Sequence, residues 1–284
     1  MAAPPRVACI NDLSGYGRCS LTTAIAVLSA IGVQACPMPT AILSRHTGFP
    51  DFTFADFTPH LQAYAENWAD LSFDGIYTGF LGSEAQIGIV EHFLQHHRQQ
   101  QNAPPRVLID TVMGDGGKIY PTYTPALCAL MRRLVSLADV ITPNVTEACI
   151  LTGTPYRGEA LRTEEAKELA KRLAALGCGA VVITGIERGD LLCNLVLDRD
   201  GLYFDTEHRT ERCFSGTGDL FASVVSAALV QGIALPEAVS GAGKFIAEVT
   251  AHTLAEQAPV MEGVRFEPCL PRLAAILQER KESL

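Results

Sequence analysis

The chain has 284 residues, of which 48% are hydrophobic and 19% charged, and its formal net charge at pH 7 is −9. This composition predicts a globular protein with a large core, and its acidic balance argues against nucleic acid or a membrane surface as partner. The apolar runs are too short to span a bilayer, and the N-terminal residues lack the features of a signal peptide. Nine scattered cysteines without a Cys-x-x-Cys pair predict reduced thiols and a cytoplasmic location.

Short β-rich runs alternate with helical segments along most of the chain. Strands are predicted at residues 6–10, 33–37, 75–78, 106–110, 140–142 and 180–184. Helices follow or separate them at residues 19–31, 58–68, 83–97, 124–137, 144–152 and 162–176. The pattern then changes to a β-hairpin with an Asp-Gly turn, at residues 191–197 and 202–205. Three helices complete the chain, at residues 217–231, 236–254 and 271–282.

This alternation predicts an α/β fold with a doubly wound, mostly parallel sheet and helices on both faces. No repeat, linker or low-complexity tract divides the chain, so a single domain over residues 1–284 is expected, with residues 1–5 as a flexible tail. Ligands of such sheets bind beyond the carboxyl ends of the strands. Polar, glycine-containing segments stand at these ends, at residues 11–17, 44–48, 78–82, 110–117, 142–147 and 184–185.

The most informative of the motifs is a glycine turn, Ser-Gly-Thr-Gly-Asp at residues 215–219, which opens an apolar helix. The backbone N–H groups of Gly216, Thr217 and Gly218 are free to bind an anion at the positive end of that helix. Asp219 can take a proton from a hydroxyl group aimed at the same anion. An N-capped helix with an acidic first turn would need the same residues, so the turn alone leaves both interpretations open.

Two acidic segments suggest a cation. Asp110 and Asp115 flank a glycine-rich loop whose carboxylates suit a hard ion such as Mg²⁺, although a solvated turn explains Asp115 equally well. Asn144 and Glu147 have the spacing of a capping box, and Glu147 could also hold Mg²⁺ near a phosphate. Both roles are compatible.

A third group of residues suits a small polar ligand. Ser14 lies in a turn with two glycines after the first strand, where it could bond a ring nitrogen or simply stabilise the turn. His46 lies in a loop with hydrogen-bond donors, and a single histidine of this kind is more often structural than catalytic.

Together these motifs resemble the ribokinase-like superfamily, in its vitamin-kinase branch of pyridoxal/pyridoxamine kinases. The resemblance runs from about residue 6 to residue 252. It rests on Gly216-Thr217-Gly218-Asp219, Thr142-Pro143-Asn144 with Glu147, Val112-Met113-Gly114-Asp115, and Ser14 with His46-Thr47-Gly48. The last pairing differs from sugar kinases, whose Gly-Gly motif and separate β-lid domain are not found here. Arg45, Gly17-Arg18-Cys19 and Asp110-Thr111-Val112 depart from the family pattern and leave the choice of acceptor open.

The resemblance implies ATP-dependent phosphorylation of the 5′-hydroxymethyl group of a B6 vitamer: pyridoxal, pyridoxamine or pyridoxine. Hydroxymethylpyrimidine is the alternative acceptor, and a non-catalytic ligand-binding protein is the alternative of another class. The resemblance also implies a homodimer that uses Mg²⁺ and a monovalent cation, K⁺ or Na⁺.

The resemblance further implies a role for each candidate residue. Asp219 is the catalytic base, and Gly216, Thr217 and Gly218 form the anion hole. Ser14, His46, Thr47 and Phe80 bind the pyridine ring. ATP is bound by Asp115, Asn144, Glu147, Thr184, Gly185 and Lys244, with residues 205–214 flanking the adenine. Asp110, Asp115, Thr142 and Glu147 hold the metal ions.

Overall fold

The computed structural model of the protein describes residues 3–100, 103–210, 212 and 214–282, with side chains through residue 279. Residues 1 and 2 of the expected tail, and Cys213, lie outside this set. Residues 3–5 have no regular secondary structure, and the Pro5 carbonyl accepts a hydrogen bond from the Gln34 N–H at 2.8 Å.

One large sheet organises the molecule. The strands are β1 Arg6–Ser14, β2 Gln34–Leu43, β3 Phe54–Asp56, β4 Gly75–Thr78, β5 Arg106–Ile109, β6 Gly114–Asp115, β7 Lys118–Ile119, β8 Val140–Ile141, β9 Ala180–Arg188, β10 Leu191–Asp198 and β11 Gly201–His208. Nine of them form the sheet in the order β11-β10-β9-β8-β5-β4-β1-β2-β3, and β6 and β7 form a separate small hairpin. Neighbours from β9 to β2 run parallel, whereas β3, β10 and β11 join antiparallel.

Helices cover both faces of this sheet. They are α1 Ser20–Ala30, α2 Thr58–Glu66, α3 Glu84–Gln100, α4 Pro125–Val135, α5 Val145–Thr152, α6 Thr163–Ala174, α7 Thr217–Val230, α8 Leu235–Ala255 and α9 Leu270–Glu282. Two 3₁₀ turns, Val260–Glu262 and Glu267–Cys269, connect α8 to α9. Within the described residues, the search for a helix with the length and apolar character needed to cross a membrane finds none.

The apolar β1 strand shows why the sheet is buried on both sides. Ala8 and Ile10 pack in a core with side chains of α2 to α6, whereas Val7 and Cys9 pack with α1, α7, α8 and α9. Successive side chains of a strand point to opposite faces, so a strand covered on both faces needs an unbroken apolar run. The predicted doubly wound α/β architecture is therefore confirmed.

Several strands extend beyond their predicted ends: β1 continues from residue 10 to Ser14, β2 from residue 37 to Leu43, and β9 shows the reason most clearly. The strand predicted to stop at residue 184 continues to Arg188, and Thr184 and Gly185 lie inside it. Beyond its parallel pairing with β8, β9 pairs with β10, and the register shifts between Cys193 and Leu195 opposite Gly185, whose φ is 75°. The continuation depends on this antiparallel partner, which local sequence does not specify.

Candidate active site

The glycine turn is fixed against the loop that follows β1. Gly216 is the N-cap of α7 with φ 80°, and a Cβ there would collide with the Arg18 carbonyl oxygen. Glycine is therefore required by backbone conformation and by space. Gly218 is exposed and has open space around it, so the first turn of α7 presents its N–H groups to solvent. This arrangement suits an anion.

Asp219 points from this turn toward the sheet. Its Oδ1 accepts a hydrogen bond from the Asn11 amide at 3.2 Å. The pKa of Asp219 is raised to about 6, chiefly by burial and also by the charge of Asp12, whereas the Ser20 N–H, the Asn11 amide and the Tyr77 hydroxyl act in the opposite direction. A carboxylate of this pKa is ionised at neutral pH and remains basic enough to accept a proton.

Asn11 connects three parts of the site. Besides Asp219, it bonds the backbone of the segment after β4, because its Oδ1 accepts the Phe80 N–H at 2.8 Å. A Cβ at Gly79 would collide with the Asn11 side chain, so that glycine makes room for it. Sequence analysis did not select Asn11 as a site residue, although an amide side chain at the end of a buried apolar run was the available signal.

Asp12 forms a second buried acidic centre beside Asp219. Its carboxylate accepts hydrogen bonds from the Ser14 hydroxyl at 2.7 Å and from the Ser20 hydroxyl at 2.5 Å. Ser20 adopts an unusual φ of 51° for a non-glycine residue, which indicates backbone strain held by the site. Ser14 is fully buried and bonded to Asp12, so the structure places it beneath the loop rather than at its open surface.

His46 shapes the loop that carries Thr47. Its Nε2 lies 2.7 Å from the Met261 carbonyl oxygen, and its Nδ1 accepts the Gly48 N–H at 3.1 Å. Because a carbonyl only accepts, Nε2 carries the proton and both ring nitrogens are engaged within the protein. Thr47 is exposed at the tip of this loop. Phe80 is buried, with its ring packed edge-on against Tyr123 at 6.1 Å between centroids.

Glu147 has the capping role that was considered for it. It forms a capping box with Asn144, whose Oδ1 accepts the Glu147 N–H at 2.9 Å. Its own carboxylate accepts hydrogen bonds from the Asn144 N–H, the Met113 N–H and the Thr111 hydroxyl, at 3.0, 3.0 and 3.1 Å. Glu147 thus ties the loop after β5 to the start of α5. Burial raises its pKa to about 7.

Asp110 completes a group of three acids at the carboxyl edge of the sheet. The Thr142 hydroxyl donates to its Oδ1 at 3.1 Å. Burial and the neighbouring charges of Glu147 and Asp219 raise the Asp110 pKa well above its ordinary value. A cation at this edge would offset that repulsion.

The donor set around Asp110 and Glu147 fits a metal held jointly with a ligand. No group of three or more His, Cys, Asp or Glu side chains among the described residues is arranged to hold a metal ion by itself. Mg²⁺ usually takes one or two protein carboxylates and completes its shell with phosphate oxygens and water. Asp110 and Glu147 match that mode.

The remaining candidates make contacts that do not involve Asp219. Asp115 is exposed on the β6–β7 hairpin, where it accepts the Gly116 N–H at 2.8 Å. The Thr184 N–H donates to the Pro143 carbonyl at 2.9 Å, which places β9 beside the start of α5. Lys244 lies on α8 and forms an ion pair with Glu279 of α9 at 3.0 Å. In the predicted adenine segment, residues 211 and 213 lie outside the described residues.

The fold and site together define a class of protein. A doubly wound sheet with a half-buried aspartate beside a helix-terminal glycine turn is the arrangement of a ribokinase-like kinase, which transfers a phosphoryl group to an alcohol. The family model described as phosphomethylpyrimidine kinase matches residues 19–261, and the chain belongs to this family.

Three known proteins illustrate the similarity. The chain is 29% identical to a pyridoxine/pyridoxal/pyridoxamine kinase from Bordetella avium over 260 residues, 87% of this chain and 85% of the relative. It is 35% identical, with TM-score 0.89, to the crystal structure with pyridoxal of a candidate phosphomethylpyrimidine kinase from Bacteroides thetaiotaomicron, covering 95% and 96% of the chains. It is 29% identical, with TM-score 0.87, to a pyridoxal kinase from Lactobacillus plantarum, covering 98% and 99%. The predicted pyridoxal kinase-like identity is thereby confirmed.

Proposed function

We propose that this enzyme transfers the γ-phosphoryl group of ATP to the 5′-hydroxymethyl group of a B6 vitamer. The observation that carries the proposal is Asp219, a half-buried base in the first turn of α7, beside the exposed Gly218. The Bacteroides relative with pyridoxal supports the choice of a vitamer as acceptor. A protein that only bound its ligand would not need a base beside an anion site.

The proposed reaction depends mainly on positioning. Asp219 accepts the proton of the acceptor hydroxyl as that oxygen attacks the γ-phosphorus, and the bond to the β,γ-bridging oxygen of ATP breaks. The N–H groups around Gly216, Thr217 and Gly218 stabilise the charge on the transferred group. The transition state of phosphoryl transfer is loose, so orientation and charge neutralisation supply most of the acceleration.

Metal ions have a defined place in this proposal. Asp110 and Glu147 would hold Mg²⁺, directly or through water, and Asp115 would approach it from the β6–β7 hairpin. Mg²⁺ supplies neutralisation of the phosphate charge when bound. Thr142 and Thr184 would line the adjoining region for a monovalent cation, K⁺ or Na⁺, and the nucleotide phosphates. Asn144 and Gly185 would complete the ATP contacts there.

The acceptor pocket is assigned to the ends of β1 and β2 and the segment after β4. Thr47 offers an open hydroxyl, His46 sets the loop, and Phe80 supplies an apolar wall. Ser14 acts through Asp12 in this arrangement rather than by direct contact. Lys244 would approach the nucleotide only if it left Glu279.

Hydroxymethylpyrimidine kinase activity is the second candidate, favoured by the description of the family model. A product assay decides between them: enzyme, ATP and Mg²⁺ are incubated with each of the three vitamers and with hydroxymethylpyrimidine, and phosphorylated products are identified by mass spectrometry. We expect one vitamer to exceed hydroxymethylpyrimidine in kcat/KM at least tenfold. The reverse order would assign the second activity, and binding without product would indicate a non-catalytic protein.

We further propose that the enzyme is a cytoplasmic homodimer. The eight cysteines of the described residues are free thiols, as is typical of a reducing compartment. Ile42, Phe52 and Phe54 are exposed along the edge of the sheet formed by β3. Exposed apolar side chains on an edge strand are typical of an interface.

A further inference from the structure

Tyr77 has a buried hydroxyl for which the described structure provides no hydrogen-bond partner. The residue is fully buried in the middle of the parallel sheet, paired with Cys9 of β1 on one side and Leu108 of β5 on the other. Buried polar groups almost always have a partner, so an unpartnered phenol at this depth requires an explanation.

The position of α7 supplies one. This helix runs along β4, and its C-terminal Val230 lies over Gly75, where an added Cβ would come within 2.6 Å of the Val230 side chain. The N-terminal half of α7 therefore lies over Tyr77. The groups that act on the Tyr77 phenol include Asp219 and Ser223, which lie one turn apart on the same helix. The Ser223 hydroxyl donates to the Asp219 carbonyl oxygen at 2.6 Å and can still accept a hydrogen bond, but the Asp219 carboxylate is the stronger acceptor because it is charged.

We propose that Tyr77 is a positioning residue, whose hydroxyl serves as the second side-chain donor to the Asp219 carboxylate and orients it toward the acceptor. Asn11 holds Oδ1 from β1 at 3.2 Å, and Tyr77 approaches from β4 below the helix. The phenol O–H donates and the carboxylate accepts. This inference rests on the proposed role of Asp219 as the base.

The electrostatic surroundings make such a donor consequential. Asp12 on β1 and Asp110 after β5 act on Asp219 as like charges, and the buried thiol of Cys19 lies before α1. The charge of Asp219 also contributes to the raised pKa of Tyr120. The principal groups that favour the ionised carboxylate are neutral: the Ser20 N–H and the Asn11 amide, with the Tyr77 hydroxyl acting in the same direction as the proposed third donor. Removing one of three donors from a half-buried carboxylate makes protonation easier.

The test compares Tyr77→Phe with a matched control, Tyr203→Phe. Tyr203 lies on β11 with a buried, unpartnered hydroxyl of the same kind, but it is influenced by Asp198, Glu237 and Asp205 rather than by Asp219. Loss of one hydrogen bond to a charged group should move the titration of Asp219 upward by about one pH unit. For Tyr77→Phe we therefore expect kcat/KM to fall about fivefold at pH 6 and to change less than twofold at pH 8.5. Tyr203→Phe should follow the wild-type profile.

A second measurement does not require activity. Asp219 is followed by carboxyl ¹³C NMR in wild-type protein and in both variants, with Asp219→Asn to assign the signal. An upward shift of the Asp219 pKa in Tyr77→Phe, but not in Tyr203→Phe, supports the inference. It does so even if none of the acceptors is phosphorylated, because that result would overturn only the proposed function. An active Tyr77→Phe enzyme with an unchanged pH profile and an unchanged Asp219 titration would overturn the inference and leave Tyr77 as a core residue.

Discussion

Thr47 and Ser14 carry similar hydroxyl groups in different surroundings. Thr47 is exposed at a loop tip, whereas Ser14 is buried and donates to Asp12 at 2.7 Å. We expect Thr47→Val to raise KM for the vitamer about threefold to tenfold, the effect of one neutral hydrogen bond, with KM for ATP unchanged. Steady-state kinetics with each substrate varied provide the measurement.

Ser44 supplies the control, since its hydroxyl is already engaged within the same loop, where it accepts the Thr53 N–H at 2.8 Å. Ser44→Ala should leave KM for the vitamer within twofold of wild type. An increase of KM for ATP in Thr47→Val would mean that this loop lines the nucleotide site instead.

Gly216 and Gly218 test the glycine turn as a matched pair. Gly216 has φ 80° and no room for a Cβ, whereas Gly218 has neither restriction. Gly216→Ala should destabilise the fold by about 1–3 kcal/mol and lower kcat, because a left-handed conformation and a steric clash act together. Gly218→Ala keeps its N–H and should melt close to wild type. Equal melting temperatures for the two variants would contradict the geometry described for this turn.

At the level of secondary-structure elements, the start of α5 joins stability to the proposed metal site. Glu147→Gln replaces one acceptor oxygen by an NH₂ group facing backbone N–H donors, and loss of the cap should cost about 0.5–2 kcal/mol. We also expect the Mg²⁺ concentration needed for half-maximal activity to rise severalfold. Parallel Mg²⁺ titrations and thermal melts measure both effects.

The α4 cap gives the comparison, because there the Thr124 hydroxyl accepts the Leu127 N–H at 3.1 Å, a hydrogen bond that does not involve Asp110 or Glu147. Thr124→Ala should lose similar stability and keep the wild-type Mg²⁺ dependence. If Glu147→Gln also kept that dependence while melting earlier, Glu147 would be a helix cap only.

His97 makes the packing of α3 sensitive to pH. Its ring is buried against Phe93 and Phe73, neither ring nitrogen has a partner in the described structure, and burial lowers its pKa from 6.5 to about 4. The unfolded chain therefore binds a proton that the folded chain excludes, and acidification through this window destabilises the fold. Relative to His97→Phe, the wild type should lose up to about 3 kcal/mol of stability between pH 7 and pH 4.

Denaturant unfolding at several pH values measures this difference. The neighbouring His96 lies on the more open side of α3 and bonds the Ala69 carbonyl, so His96→Gln serves as the control. A constant difference between wild type and His97→Phe across the window would show that the ring is not the source of acid sensitivity.

Secondary-structure elements with strong local signals could be predicted from the sequence. The strand at residues 75–78 follows from its apolar run, and the start of α5 follows from the capping box of Asn144 and Glu147, so neither needs a distant partner to be recognised. The short strands β3, β6 and β7 were missed, since two- or three-residue strands exist only through pairing with distant or neighbouring segments. Asn11, Asp12 and Tyr77 gained their roles from the strand order, which local patterns do not contain.

For the whole molecule, the proposed dimer can be tested at the β3 edge. Sedimentation velocity should give about twice the chain mass of 30.5 kDa for the wild type. Phe54→Asp places a charge among exposed apolar side chains and should shift the protein toward monomer while keeping the circular dichroism spectrum of the wild type. Exposed Phe52 and Ile42 lie beside it. A wild-type protein that sediments as a monomer would overturn the proposal.

Asp219→Asn tests the central claim, that this fold transfers a phosphoryl group by means of the base at the start of α7. The amide keeps the shape of the side chain but cannot take the acceptor proton, so kcat for the vitamer should fall by about 10²–10⁴-fold. ATP binding, measured by calorimetry, should remain nearly unchanged because the N–H groups of the turn are intact. A variant that retained more than about a tenth of the wild-type kcat would contradict general-base catalysis by Asp219.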